Sequence, residues 1–125
     1  MGAPASLRLT CERTGEALAE RVGIASNFWS RLIGLLGTPH LPPDAGLLIV
    51  PCNSVHTFGM RYAIDIVYLT EAGVVIATTE HMKPWTFGWP IRAAKAVLEL
   101  PAGTVQRAGL QAGDRLSGWP APTPS

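Results

Sequence analysis

Histidine, threonine, arginine and aspartate fall close together in the run Val55 to Tyr68, as His56, Thr57, Arg61 and Asp65. Histidine beside a carboxylate is the commonest apparatus for moving protons near neutral pH. Asp65 is the most informative of the four. In Ile64-Asp65-Ile66-Val67-Tyr68-Leu69 a strand would put Ile64, Ile66 and Tyr68 on one face. Asp65, Val67 and Leu69 would share the other. Both faces read as buried, and a buried carboxylate needs a cation or several donors. Arg61, Lys83, Arg92 and His56 are available, as are the amides of the connector 59–63. The plainer alternative is that Asp65 only pins that connector by hydrogen bonds.

A second constellation is Lys83-Pro84-Trp85-Thr86, a cation beside an indole in a loop. Loops carry binding residues more often than cores do. Trp85, Phe87 and Trp89 would either stack on a flat ligand or cap an open end of the fold. The three histidines and Asp65 lack the spacing of metal ligands, so no metal is expected. Cys52 lies near His56, but nothing in the sequence activates a thiol or builds an oxyanion pocket. Cys11 and Cys52 read as reduced and partly buried, with one disulfide as the alternative. There is no P-loop, no dinucleotide fingerprint and no nucleophile elbow, so no cofactor is expected.

The elements that must position these residues are short. Leu7 to Glu12 and Ala17 to Ala25 alternate around Arg13-Thr14-Gly15-Glu16, which predicts an opening hairpin. In its second strand Leu18, Val22 and Ile24 would face one way. Ser26 followed by Phe28, Trp29, Leu32, Ile33, Leu35 and Leu36 predicts the main helix, near 27–36, stopped by Gly37. Leu47 to Val50 and Val55 to Phe58 predict two short strands. Ile64 to Leu69 and Val74 to His81, around Thr70-Glu71-Ala72-Gly73, predict a second hairpin. Lys95 to Leu100 predicts a strand with one wet face. Thr104 would cap a short helical turn to Ala108, and Arg115 to Trp119 would be the last strand. The expected class is α+β, mostly β: a curled antiparallel sheet, as a small barrel or sandwich, with one main short helix.

A chain of 125 residues with 47% apolar and 15% charged residues fits one compact domain over 1–125. Its core would span about 7–118, with tails at 1–6 and 120–125. A net charge of +1 and no basic run argue against nucleic acid and against an anionic membrane surface. No apolar run approaches membrane-spanning length, and Met1 to Leu9 holds no apolar leader segment, so a cytoplasmic monomer is expected.

Four motifs resemble one family. They are Ser30-Arg31-Leu32-Ile33-Gly34-Leu35-Leu36, then His56 to Arg61 with Ile64 to Tyr68, then Lys83-Pro84-Trp85, and Val97-Leu98-Glu99-Leu100-Pro101-Ala102-Gly103. Gly109 to Asp114 resembles its closing motif. The family is DUF192, a small bacterial and archaeal domain of uncharacterised function, and the resemblance covers roughly residues 7 to 118. It implies one compact β-rich fold with a helix, and no activity. Many members carry a leader, which this chain does not display. The family motif falls on Thr57, Met60, Asp65, Lys83, Pro84 and Trp85.

The residues together favour a non-enzymatic binding module for a small polar ligand or a protein partner. Its site would be lined by His56, Thr57, Met60, Arg61, Asp65, Lys83 and Trp85. The alternatives are an acid/base enzyme using Asp65 and His56, and an adaptor whose exposed Trp85, Trp89 and Trp119 meet a partner.

Overall fold

The computed structural model describes residues 6–25, 41–57, 60–88 and 90–120. Seven strands form one sheet. They are β1 (Ser6–Cys11), β2 (Ala17–Ala25), β3 (Ala45–Ile49), β4 (Ile64–Leu69), β5 (Val75–Met82), β6 (Ala96–Pro101) and β7 (Leu116–Ser117). A five-residue helix, α1 (Thr104–Ala108), lies between β6 and β7. The order across the sheet is β5-β4-β6-β3-β2-β1-β7. Every pairing is antiparallel except β2 with β3. The main helix expected near 27–36 lies outside the described residues.

The sheet curls until its two ends approach. The C-terminal segment pairs with β1 through Thr10 and Cys11, and also reaches the start of β5. There Val75 donates to the Asp114 carbonyl at 2.7 Å, and Leu116 donates to the Gly73 carbonyl at 3.0 Å. Gly73 has φ +83°, and a Cβ there would meet Trp119 Cγ at 2.6 Å. Trp119 lies across this turn and donates its indole N–H to the Glu71 carbonyl.

The curl produces two cores, and strand alternation assigns residues to them. Val67, Leu69, Leu98 and Leu100 join Leu9, Leu18, Val22, Val105 and Ala108 in the first. Ile64, Ile66, Tyr68 and Val97 join Val55, Met60 and Met82 in the second. Cys11 belongs to the first core and Cys52 packs against the second, so no disulfide joins them.

Four expectations give way to tertiary context. Val22 is fully buried but Ile24, on the same face in unbroken register with β3, is 43% exposed, because it lies at the end of β2, past the last described β1 partner at Gly23. Val55 to Thr57 forms no full strand; His56 makes a single antiparallel bridge with Phe87. The strand β6 has no wet face: Leu98 and Leu100 enter the first core, Val97 enters the second, and Glu99 is fully buried. Thr104 does not cap α1. The N-cap is Gly103 at φ 95°, and the Thr104 hydroxyl donates back to the Pro101 carbonyl at 2.7 Å.

Candidate functional site

Residues 52–57 run antiparallel to 85–88 and 90–95 as a narrow ribbon. Five backbone hydrogen bonds zip it: Cys52 N–H to Lys95, Ile91 N–H to Asn53, Gly88 N–H to Val55, Thr57 N–H to Thr86, and Trp85 N–H to Thr57. Val55 and Ile91 anchor it on the second core. Prolines and glycines keep both segments from joining the sheet proper, while each still finds backbone partners in the other, as buried amides require.

Thr57 is the clasp of this ribbon. Its side chain is fully buried. The hydroxyl donates to the Lys83 carbonyl at 2.6 Å and accepts the Thr86 N–H at 2.8 Å. The Thr57 carbonyl takes the amides of both Trp85 and Met60. One threonine therefore fixes four residues of chain, and it holds the turn that presents Trp85. Trp85 has φ 60°, a left-handed conformation that a bulky residue rarely adopts. It is 70% exposed, and Phe87 two positions on is 51% exposed.

The structure brings Thr57 together with Met60 and the 83–85 turn, and His56 precedes Thr57 opposite Phe87. His56 is half-buried and Met60 is buried in the second core. Lys83 and Arg61 have exposed side chains.

Asp65 is set apart from this group. It shares the alternation of Val67 and Leu69 and lies opposite Leu100 in register, on the first-core side. The bonds described for its carboxylate go elsewhere than residues 60–63 of the connector, and Gly59 lies outside the described residues. One oxygen accepts the His81 N–H at 2.9 Å; the other accepts the amides of Gly103 at 3.1 Å and Val105 at 2.9 Å. A bulge in β5 explains the first bond. Ile64 pairs with Met82 but Ile66 pairs with Thr79, so two residues face Asp65 and the His81 amide is turned toward its carboxylate. The other two bonds cap α1 from a strand distant in sequence. Among the described residues, three backbone amides donate to this carboxylate.

Glu99 is the residue that the alternation argument missed. It faces the second core with Val97, between Leu47 on β3 and Ile66 on β4, and is fully buried. Lys95 made the strand read as half-wet. The better signal was that Val97 and Leu98 are consecutive apolar residues, as in a strand covered on both sides.

The remaining charged cluster sits on the first-core side. Arg13 grips Asp114 with two donors at 2.7 and 3.1 Å and also reaches the Gly109 carbonyl. The Gln111 amide donates to the same carboxylate. The Arg13 guanidinium is the main reason the Asp114 carboxyl is held down at about 2. This cluster ties the β1–β2 turn to the segment after α1. Among the described residues, no group of three His, Cys, Asp or Glu is arranged to hold a metal ion, and no helix is long and apolar enough to cross a membrane.

Comparison with known proteins follows the same outline. The family model DUF192, described as "Uncharacterized ACR", matches residues 9–118. A UPF0127 protein of Pyrococcus furiosus is 34% identical over 107 residues, covering 82% of this chain and 90% of that protein. A UPF0127 protein of Thermococcus sibiricus is 31% identical, covering 82% and 68%. A crystal structure from Sinorhizobium meliloti 1021, of a protein provisionally described as a transcription regulator, matches with a TM-score of 0.76 at 26% identity. It covers 94% of this chain and 97% of that one. A protein of unknown function from Novosphingobium aromaticivorans matches with a TM-score of 0.72 at 19% identity, covering 93% of each chain.

Proposed function

The chain belongs to the DUF192 family, and from that premise we propose that it is a single-domain, non-enzymatic binding module whose contact element is the ribbon turn at 83–87. The observation that carries this reading is the clamped conformation of Trp85. A bulky residue at φ 60° costs roughly 1–2 kcal/mol. Strain of this kind persists where surrounding structure over-determines it, and it clusters at functional sites. Here Thr57 supplies the over-determination, and what it holds is an exposed indole with an exposed phenyl two residues away. Rigid aromatic side chains lose little entropy on binding and dominate contact energies.

Two further points favour binding over catalysis. Asp65 spends its carboxylate on three amides on the first-core side, whereas His56 bridges Phe87 in the ribbon that packs on the second core. The Sinorhizobium protein is described as a regulator, which is a binding role. The test is a thermal-shift and tryptophan-fluorescence screen against small polar metabolites, oligonucleotides and peptides. A ligand that binds the native state raises the melting temperature. The reading requires that the shift disappear in Trp85→Ala while the variant stays folded. Turnover that survives Trp85→Ala and is lost in Asp65→Asn would replace it with the enzymatic reading.

A further inference from the structure

Net charge conceals how the charges are placed. Residues 50–62 and 82–95, which contain the two halves of the ribbon, hold four of the ten lysines and arginines and none of the nine aspartates and glutamates. Those four, Arg61, Lys83, Arg92 and Lys95, all have exposed side chains. The rest of the chain is therefore net acidic, and the positive charge is concentrated on the ribbon, which carries Arg92 and Lys95, and on the chain leaving and entering its Thr57 end, which carries Arg61 and Lys83. The zipper sets the order of these charges. Lys95 is beside Cys52 at one end, Arg92 follows Ile91 opposite Asn53, and Lys83 lies under the Thr57 clasp at the other end, with Arg61 following Met60. Trp85 and Phe87 stand exposed at that second end.

We infer that the ribbon is a binding track for single-stranded nucleic acid; this rests on the proposal that the 83–87 turn is the contact element. Two features select this partner among anionic ones. Exposed aromatic rings beside cations are the arrangement on which unpaired bases stack while phosphates are neutralised. The span also fits: 52–57 is about 17 Å long at strand rise, room for a short strand near the lower end of known site sizes, about 4 nucleotides. Duplex is the weaker partner, because its bases are already stacked and paired and offer no open face to Trp85 and Phe87. Phosphate contacts would come from the four cations, and sequence preference would be weak, since stacking does not distinguish bases strongly.

The experiment uses the full chain and fluorescein-labelled oligo-dT of 12 nucleotides, followed by anisotropy across a salt series, with poly-glutamate and a 12-base-pair duplex as competitors. The expected result is binding at low salt whose log affinity falls with log salt with a slope of up to about −3, from four phosphates at about 0.7 each. Lys83→Glu and Arg92→Glu should each flatten that slope by about 0.7. Trp85→Ala should weaken binding about tenfold or more at any salt. The inference is overturned if the oligonucleotide does not bind at low salt, if Trp85→Ala binds it as tightly as the parent, or if poly-glutamate displaces it at equal charge. A Trp85-dependent ligand of another class, with no oligonucleotide binding, overturns this inference and leaves the binding-module reading standing. Absence of any Trp85-dependent ligand overturns both.

Discussion

The carboxylate of Asp65 accepts the amide of Val105 at 2.9 Å, across forty positions of sequence. A strand side chain thus caps a helix of five residues that has no capping side chain of its own, its N-cap being Gly103. The same carboxylate holds the bulged His81 amide. Three elements, β4, β5 and α1, meet at one buried group. That is a structural role with large consequences for folding.

Asp65→Asn should therefore destabilise without changing ligand specificity. Three donors converge on the two oxygens, and the amide NH2 of asparagine would oppose at least one of them. Leaving a buried donor unsatisfied costs about 1–3 kcal/mol, more where a charged acceptor is lost. The expected loss in urea unfolding is about 3 kcal/mol, with faster hydrogen exchange at Gly103 and Val105. A change below about 0.5 kcal/mol would mean that these amides are satisfied without the carboxylate.

Thr57→Val keeps the shape and removes the clasp. The Thr86 amide and the Lys83 carbonyl both lose their partner, which predicts a loss of about 1–3 kcal/mol. The diagnostic readout is local. Amide exchange should quicken at 83–88 before the rest of the sheet, and ligand affinity should fall, while Thr57→Ser should retain most of both. Uniform exchange across the chain would deny Thr57 a local role.

Trp85→Asn should separate function from stability. Asparagine tolerates the left-handed conformation that Trp85 is forced into. The melting temperature is expected to hold or rise, while Trp85-dependent binding is lost. A fall of several degrees would show that the indole contributes more to packing than its 70% exposure suggests.

Acid stability should report on the Arg13–Asp114 pair. The Asp114 carboxyl is held at about 2 against an ordinary 3.8, chiefly by the guanidinium of Arg13. A depressed carboxyl contributes stability that is complete above the ordinary value and is lost as pH falls through the depressed one. The increment should thus fade between pH 3.8 and about 2. In Asp114→Asn the stability curve should be flatter across that window. In Arg13→Met the acid-unfolding midpoint should move to higher pH. Parallel curves for parent and Asp114→Asn would assign the acid limb to other carboxylates.

Much of the sheet was legible in the sequence because local rules suffice for it. Thr70 to Gly73 has the chemistry of a hairpin loop, and the strands on either side of it, β4 and β5, pair as expected. The opening hairpin and the turn at Thr104 to Ala108 were visible for the same reason. What local rules could not give was sidedness beyond one strand. Lys95 made β6 look half-wet, yet Leu98 and Leu100 enter the first core, Val97 enters the second, and Glu99 is fully buried. Ile24 looked like core, yet it lies at the end of β2, past the last described β1 partner at Gly23, and is 43% exposed.

The sequence by itself determined that this chain is β-rich and that it carries the DUF192 motifs, and it offered His56, Thr57, Met60, Arg61, Asp65, Lys83 and Trp85 as candidate site residues. Only the tertiary structure decided what Thr57, Asp65 and Trp85 each do. Asp65 could not be assigned from its own strand, because its partners are amides up to forty positions away and a bulge in β5 supplies one of them. The positive ribbon was invisible for a similar reason. Its four cations lie in two segments separated by a hairpin, and a net charge of +1 averages them against carboxylates elsewhere on the fold. Hydrogen bonds between residues far apart in sequence place both features, and periodicity carries no information about those.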